Sequence, residues 1–272
     1  MSNTTFLEPG AEELGTQFIE NGYVILPAQD VDALARIREL VVGGATSALG
    51  QDLPKDHGDY LNNFHKHVSI ENLNNVRLKV IEELNSQDWT RPAYFNLARQ
   101  AIYDIVGNEL AMQRRLNLSI QLPDDTSSLL PVHADVWSGD SPYEIVVWVP
   151  LVDCYDTKSM YLMPPDKDRP LQARMGEVFK NASAQELFQH IEHHVQWMNV
   201  PFGHVLVFSQ TLMHGNQPNL VPETRWSMNC RFKSLFSPYA DKRLGEFFEP
   251  ITARAATQMA LDYDLPGGFG DV

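Results

Sequence analysis

The sequence predicts a mainly β protein in which a helical N-terminal region precedes a block of antiparallel strands. Segments with helical spacing dominate the first 106 residues. Residues 112 to 236 instead contain short runs that alternate with a period of two or are continuously apolar, as strands do. Helices first and antiparallel strands afterwards fit a jelly roll, a cupin-like double-stranded β-helix, with an N-terminal helical buttress.

The N-terminal region predicts four helices and an entry strand. Residues 12–20 have helical spacing, and residues 23–27 form a short apolar strand. Asp30 can cap a helix over 30–42 because its carboxylate accepts free amide hydrogens, and Gly43-Gly44 predicts the end of that helix. Residues 45–70 are polar and predict irregular structure. Helical spacing returns over 71–84 and 92–106, and Gly107 ends the last of these helices.

Two of the predicted strands alternate strictly between apolar and polar side chains. These strands cover residues 116–122 and 225–232. Their polar faces consist of Asn117, Ser119 and Gln121 in the first segment and of Arg225, Ser227, Asn229 and Arg231 in the second. A half-buried strand usually turns such a face to water, but these side chains can equally line a wet cavity. The pattern indicates a barrel with a polar, occupied interior.

The remaining segments complete one domain. Residues 205–208 are an apolar run typical of a buried strand, residues 184–193 have helical spacing, and the loops fall at 123–131 and 152–172. We expect a single domain of 272 residues. It divides into a helical buttress with the entry strand (1–110), a jelly-roll core (111–236) and a C-terminal cover of helix and loop (237–272).

Composition excludes some classes of partner. The net charge is −14, from 21 basic and 35 acidic residues, which argues against binding to nucleic acid or to an anionic membrane surface. The N-terminal segment lacks the apolar core of a signal peptide, and no segment approaches about 18 uninterrupted apolar residues. We therefore expect a cytoplasmic protein. Its two cysteines, Cys154 and Cys230, are expected to be buried free thiols.

The most informative motif is His133-Ala134-Asp135, which is followed much later by His214. Two histidines and one carboxylate hold a non-haem Fe(II) by one face and leave other positions open. Side chains two apart on a strand point the same way, so we expect His133 and Asp135 to bind one ion together. His214 then has to come from another strand. The apolar run before it and the Gly215-Asn216 turn after it fit that placement.

These residues resemble a known family. His133-Ala134-Asp135, His214 and Arg225-Trp226-Ser227 together resemble the signature of Fe(II)/2-oxoglutarate-dependent oxygenases. The eleven-residue step from His214 to Arg225 most resembles the phytanoyl-CoA hydroxylase-like branch. Residues 133–165, HADVWSGDSPYEIVVWVPLVDCYDTKSMYLMPP, are similar to bacterial oxygenases encoded among carbohydrate-biosynthesis genes.

The resemblance implies a hydroxylase that uses Fe(II), 2-oxoglutarate and O2 and that releases succinate and CO2. The three metal-binding candidates would then be the catalytic residues as well. Arg225 would bind the far carboxylate of 2-oxoglutarate, since a guanidinium offers a planar fork of donors. Ser227 and Gln121 are further candidates for binding this co-substrate. Family members that halogenate lack the carboxylate that Asp135 supplies here, so hydroxylation is favoured.

Four residues are candidates for contacts with a small-molecule substrate. Trp137 would share the side of His133 and Asp135 if their strand continued. Arg231 lies six residues beyond Arg225, about 20 Å at strand rise, so we expect it to serve a different part of the cavity. The other two candidates are Asn117, on a polar strand face, and His65, in the polar and aromatic loop 59–67.

The substrate itself stays open between several classes. The narrower resemblance implies a saccharide or a sugar nucleotide used for surface polysaccharide, and an amino acid or another small polar metabolite would also suit a polar cavity. A cupin-like metal enzyme that does not use 2-oxoglutarate would need the same three metal ligands but not Arg225 and Ser227. A non-catalytic binding protein would usually have lost a ligand, and here none is missing.

Overall fold

Helices occupy the first part of the chain and strands the second. The computed structural model describes residues 6–180 and 182–264. The α-helices in these ranges are α1 (Pro9–Asn21), α2 (Val31–Leu49), α3 (His57–Asn62), α4 (Ile70–Ser86), α5 (Thr90–Asn96), α6 (Arg99–Val106), α7 (Pro165–Gln172), α8 (Met175–Val178), α9 (Ala184–Ile191) and α10 (Ala255–Leu261). Short 3-10 helices cover Phe64–Lys66, Asp135–Ser138 and Asp156–Lys158.

The strands form two sheets. They are β1 (Tyr23–Pro27), β2 (Leu110–Gln113), β3 (Asn117–Gln121), β4 (Glu144–Pro150), β5 (Tyr161–Leu162), β6 (Gln196–Trp197), β7 (His204–Ser209), β8 (His214–Gly215), β9 (Arg225–Ser234) and β10 (Phe248–Thr252). The larger sheet has the order β1-β7-β4-β9-β2-β10, with β3 also paired to β9, and the smaller sheet has the order β6-β5-β8. All of these pairs are antiparallel. The predicted jelly-roll fold with an N-terminal helical buttress is confirmed.

Helix α2 is longer than the sequence predicts. It begins after Asp30, whose carboxylate accepts a hydrogen bond from the Ala33 amide at 2.9 Å, as expected. It then runs through Gly43 and Gly44 and ends at Gly50, whose φ of 65° suits glycine. A Cβ on Gly44 would lie 3.4 Å from Val80 of α4. The two glycines therefore do not end the helix, because packing against α4 outweighs their low helix propensity.

Two further expectations for the N-terminal region are wrong. Residues 45–70 were expected to be irregular, but they contain α3 and the turn Phe64–Lys66. The helix expected over 92–106 is two helices, α5 and α6, with a break after Asn96. Both differences lie in segments that pack on the sheet, where burial of Leu61, Phe64 and Leu97 decides the local geometry.

Strand β9 organises the larger sheet, and its two faces separate as the alternation predicts. Its apolar face is fully buried in the core through Trp226, Met228, Cys230 and Phe232. Its polar face, which consists of Arg225, Ser227, Asn229 and Arg231, lines a cavity together with residues of the smaller sheet. The polar face of β9 is therefore inside the barrel.

The C-terminal region contributes more than a cover. Strand β10 pairs with β2 and so adds a strand to the larger sheet beyond residue 236. Helix α10, by contrast, has no buried residue. The final eight residues of the predicted cover, 265–272, lie outside the described ranges. In the part of the chain that the structure describes, none of the helices has the length and apolar character needed to cross a membrane.

Candidate metal centre

Two histidines and an aspartate meet at the mouth of the barrel. His133 and His214 form an isolated antiparallel bridge, in which the amide of each donates to the carbonyl of the other at 3.0 and 2.8 Å. Their ring centroids are 4.3 Å apart. Asp135 Oδ1 lies 3.4 Å from His133 Nε2 and 3.9 Å from His214 Nε2. Among the described residues this is the one such group whose ligand atoms converge closely enough to hold a metal ion.

The convergence of His133 and Asp135 has a different cause from the one that the spacing suggested. A strand was expected through both residues, but only His133 makes a bridge, and Asp135 begins a 3-10 helix. Ala134 between them is extended, with φ −115° and ψ 134°. One extended residue is enough to point both side chains toward His214, and the chain then turns away from the site.

The two imidazoles are held ready to act as ligands. Nδ1 of His133 is 2.8 Å from the Pro131 carbonyl, and Nδ1 of His214 is 2.8 Å from the Leu212 carbonyl. A carbonyl oxygen only accepts hydrogen bonds, so each Nδ1 carries the proton and each Nε2 keeps its lone pair. Burial and, to a lesser degree, the nearby His133 lower the pKa of His214 to about 4. His214 is therefore neutral at neutral pH, as a metal ligand must be.

Asp135 is ionised despite its burial. The residue is buried, which by itself raises the pKa of its carboxyl group. Contact with His133 and the positive charge of Arg231 outweigh that effect and hold the pKa well below its usual range. The Arg231 Nη2 atom lies 2.9 Å from Asp135 Oδ2, on the side away from the histidines.

Arg225 is a buried cation without a carboxylate partner. It is 4% exposed, its Nη1 donates to the Ser159 carbonyl at 3.1 Å, and its Nη2 donates to Ser119 Oγ at 3.0 Å. Its Nε has no hydrogen-bond partner, and Arg225 takes part in no ion pair of the described residues. Burial lowers its pKa to about 10, so it stays charged at neutral pH. An unpaired buried charge is costly unless an anion joins it.

The cavity connects Arg225 to the three ligands. It encloses about 100 Å³ and is lined by Ser119, Leu130, His133, Asp135, Val146, Trp148, Met160, Phe208, His214, Gly215, Asn216, Arg225, Ser227, Asn229 and Arg231. The Oγ of Ser227 is buried there without a hydrogen-bond partner. A small anion that reached Arg225 would therefore also find the Ser227 hydroxyl free to donate.

Two predicted polar contacts lie behind the cavity wall instead of in it. Gln121 is fully buried, donates to the Gln217 carbonyl at 2.8 Å and accepts from Asn216 Nδ2 at 3.3 Å. Asn117 donates to Asn229 Oδ1 at 3.0 Å. Neither residue lines the cavity. Each instead contacts a residue that does line it, Asn216 in the case of Gln121 and Asn229 in the case of Asn117.

Trp137 and His65 also lie outside the cavity. The 3-10 helix turns the chain after Asp135, so Trp137 is 43% exposed and donates from Nε1 to Gln172 Oε1 at 3.1 Å. The backbone amide and Nδ1 of His65 each lie 3.1 Å from Thr224 Oγ1. His65 thus attaches its loop to the residue before Arg225.

Sequence reasoning missed the residues that support the ligands. Arg231 was expected to contact substrate, but it forms ion pairs with Asp135 and Asp140 and donates hydrogen bonds to two glutamines. Gln172 joins Trp137 to the segment before His214, since its Nε2 donates to the Thr211 carbonyl at 2.7 Å. Neither Asp140 nor Gln172 belongs to a periodic pattern. Of these supporting residues, only Arg231 could be found from the sequence, because it lies on the polar face of β9. That pattern does not show which of Arg225 and Arg231 pairs with a carboxylate.

No protein-family model matches the sequence, and no curated protein matches it. Solved structures of similar fold include "Non-heme monooxygenase, ThoJ-Ni complex" (16% identity, 92% of this chain and 93% of that chain, TM-score 0.53). They also include HygX from Streptomyces hygroscopicus with nickel and 2-oxoglutarate bound (15%, 88% and 90%, 0.52). A third is EctD from S. alaskensis with bound Fe (14%, 88% and 81%, 0.53). At this identity the likeness shows the fold, and this fold is shared with non-haem metal oxygenases.

Proposed function

We propose that this protein is an Fe(II)- and 2-oxoglutarate-dependent dioxygenase that hydroxylates a small polar substrate. The observation that carries the proposal is Arg225, a buried cation without a carboxylate partner, in the same cavity as a group of two histidines and one aspartate. The ligand group fits Fe(II), and the unpaired guanidinium fits a dicarboxylate co-substrate that also reaches the ion.

The fit to iron rests on the chemistry of the ligands. His133 and His214 direct their Nδ1 atoms at carbonyl oxygens and leave their Nε2 atoms for an ion, and Asp135 presents one oxygen toward them. This donor set suits Fe(II) with open positions. HygX and EctD share the fold, the first with nickel and 2-oxoglutarate bound and the second with iron bound, which supports the same use of the barrel here.

The fit to 2-oxoglutarate rests on hydrogen-bond groups that have no partner. Arg225 Nε and Ser227 Oγ are both buried and unsatisfied. Such groups cost free energy unless a ligand pairs with them, and a carboxylate pairs with both. Together, Fe(II), 2-oxoglutarate and O2 would supply the oxidant: one oxygen atom enters a C–H bond of the substrate, and the other ends in succinate as CO2 leaves.

The substrate class is the finer part of the proposal. The lining of the cavity also includes the amide side chains of Asn216 and Asn229 and the apolar Leu130 and Met160. Amide donors and acceptors suit hydroxyl groups, and we propose a saccharide or a sugar nucleotide as the first class to test. An amino acid or another small polar metabolite is the second class. We further propose that the protein acts in surface-polysaccharide biosynthesis.

Succinate release tests the reaction class. Purified protein loaded anaerobically with Fe(II) should convert 2-oxoglutarate to succinate only when O2 is admitted. A panel of sugar nucleotides, sugars and amino acids should then raise that rate for the true substrate. The matched control is His204→Ala, since His204 lies on β7 outside the cavity. It should keep the activity, whereas His214→Ala should lose it.

The result that contradicts the proposal is equally direct. Metal-dependent conversion of a sugar without O2 or 2-oxoglutarate would identify a cupin-like enzyme of another class. Tight binding of Fe(II) without binding of 2-oxoglutarate would refute the role given to Arg225 and Ser227.

A further inference from the structure

Arg231 lies on the same strand face as Arg225, but its surroundings are opposite in character. Its side chain is 13% exposed and lies between two carboxylates. Its Nη2 is 2.9 Å from Asp135 Oδ2, and its Nε is 3.1 Å from Asp140 Oδ1. Arg225 has no carboxylate partner, whereas Arg231 has two. Arg231 therefore has little capacity to bind an anionic or polar substrate.

The guanidinium of Arg231 is held in place from several directions. Its Nε also lies 3.2 Å from Gln210 Oε1, and its Nη1 lies 3.3 Å from Gln113 Oε1. Asp140 is fixed in turn by Lys242, from the C-terminal region. Each nitrogen of the Arg231 guanidinium thus has a hydrogen-bond or ion-pair partner, in a planar arrangement that a lysine ammonium cannot imitate.

The two oxygens of Asp135 have different partners. Oδ1 faces both imidazoles, and Oδ2 faces Arg231. We propose that Arg231 is a positioning residue that restricts Asp135 to binding the metal through Oδ1 alone. The inference rests on the proposed metal function. Oδ2 of Asp135 would then stay off the metal, and one more coordination position would stay free.

The consequence is an open position on the ion. A carboxylate can bind a metal through one oxygen or through both, and the second mode takes up a position that a co-substrate needs. While Arg231 lies beside Oδ2, that oxygen cannot turn toward the ion without losing its ion pair with the guanidinium. Residues that orient ligating carboxylates act in this way through the ligand, without touching the substrate.

The test uses the full-length protein loaded with nickel in place of the oxygen-sensitive iron. Crystals of the wild type should show one Asp135 oxygen on the ion and Oδ2 still on Arg231. In Arg231→Lys, which keeps the charge and loses the fork, both oxygens should approach the ion. The Kd of 2-oxoglutarate, measured by calorimetry on the nickel form, should rise about tenfold or more.

The Kd of 2-oxoglutarate separates this role from a change of charge. Arg231→Lys keeps the positive charge near Asp135, so a change in that Kd reports on the lost fork of donors and not on the charge. The matched control is Arg91→Lys, at an arginine of similar burial (21% exposed) that pairs with Glu249 outside the cavity. It should leave the Kd of 2-oxoglutarate unchanged.

The two proposals fail in different ways. If nickel does not occupy the site formed by His133, Asp135 and His214 in the wild type, the metal function is refuted together with this role of Arg231. If nickel binds there but wild-type Asp135 uses both oxygens, only the role of Arg231 is refuted. The same holds if Arg231→Lys keeps one-oxygen binding and an unchanged Kd. Should that variant not fold, the wild-type crystals still test the role of Arg231, because binding of nickel through both Asp135 oxygens would refute it.

Discussion

Replacing Arg225 by lysine tests the co-substrate site most sharply, because the charge stays and only the geometry changes. A guanidinium has five N–H donors. Arg225 uses two of them, on the Ser159 carbonyl and on Ser119 Oγ, which leaves three for a ligand. A lysine ammonium has three donors, so the same two contacts leave one. Arg225→Lys can thus replace a two-pronged contact with a single hydrogen bond at best.

The expected magnitude follows from that difference of one bond. A hydrogen bond to a charged group contributes about 1.5 to 3 kcal/mol. Its loss should weaken binding of 2-oxoglutarate by about 10- to 150-fold. Metal affinity should not change, since Arg225 touches none of the three ligands directly and its hydrogen bonds go to residues 119 and 159.

Two measurements check this expectation. Anaerobic calorimetry of the nickel form gives the Kd of 2-oxoglutarate directly. Denaturant unfolding gives an independent value, because a ligand at 100 times its Kd stabilises the wild type by about 2.7 kcal/mol. A variant whose Kd is about 50-fold higher should gain only about 0.6 kcal/mol at the same concentration. Arg91→Lys serves as the control for the substitution itself.

The reasoning is wrong if Arg225→Lys binds 2-oxoglutarate as the wild type does. It is also wrong if the ligand-free variant is strongly destabilised, because Arg225 would then be part of the core rather than a binding group. Arg231 is not the alternative anchor in that case, since it already forms ion pairs with Asp135 and Asp140.

Three further predictions concern the ligands, their support and the thiols. Alanine at any one ligand should remove nickel binding in equilibrium dialysis, because each change deletes one of only three protein donors, namely His133, Asp135 and His214. Gln172→Ala should weaken nickel binding about 10- to 100-fold, because it releases Trp137. The surface control Gln87→Ala should leave the affinity for nickel unchanged, and equal affinities of the two variants would contradict this role of Gln172. Cys154 and Cys230 are buried with pKa values raised to about 12, so a thiol reagent should label them only after unfolding; rapid labelling of the native protein would count against this burial.

Much of the candidate site was accessible from local patterns. The alternation over 225–232 correctly assigned every side chain of that segment to the core or to the cavity. The spacing of His133 and Asp135 gave the right pair, although a 3-10 helix and not a strand follows Ala134. Where the pattern was extended past Asp135, it failed at Trp137, because a period of two holds only while the backbone stays extended.

The sequence by itself determined the kind of site: three ligand types for a metal, and a strand with two arginines on its polar face. Only the tertiary structure decided which arginine is free. Arg225 and Arg231 share one strand face, so local periodicity treats them alike. The carboxylates that decide between them, Asp135 and Asp140, lie about 90 residues earlier in the chain. They pair with Arg231 and not with Arg225. Long-range pairing of buried charges, which no local pattern records, therefore leaves Arg225 without a carboxylate partner and pairs Arg231 within the protein.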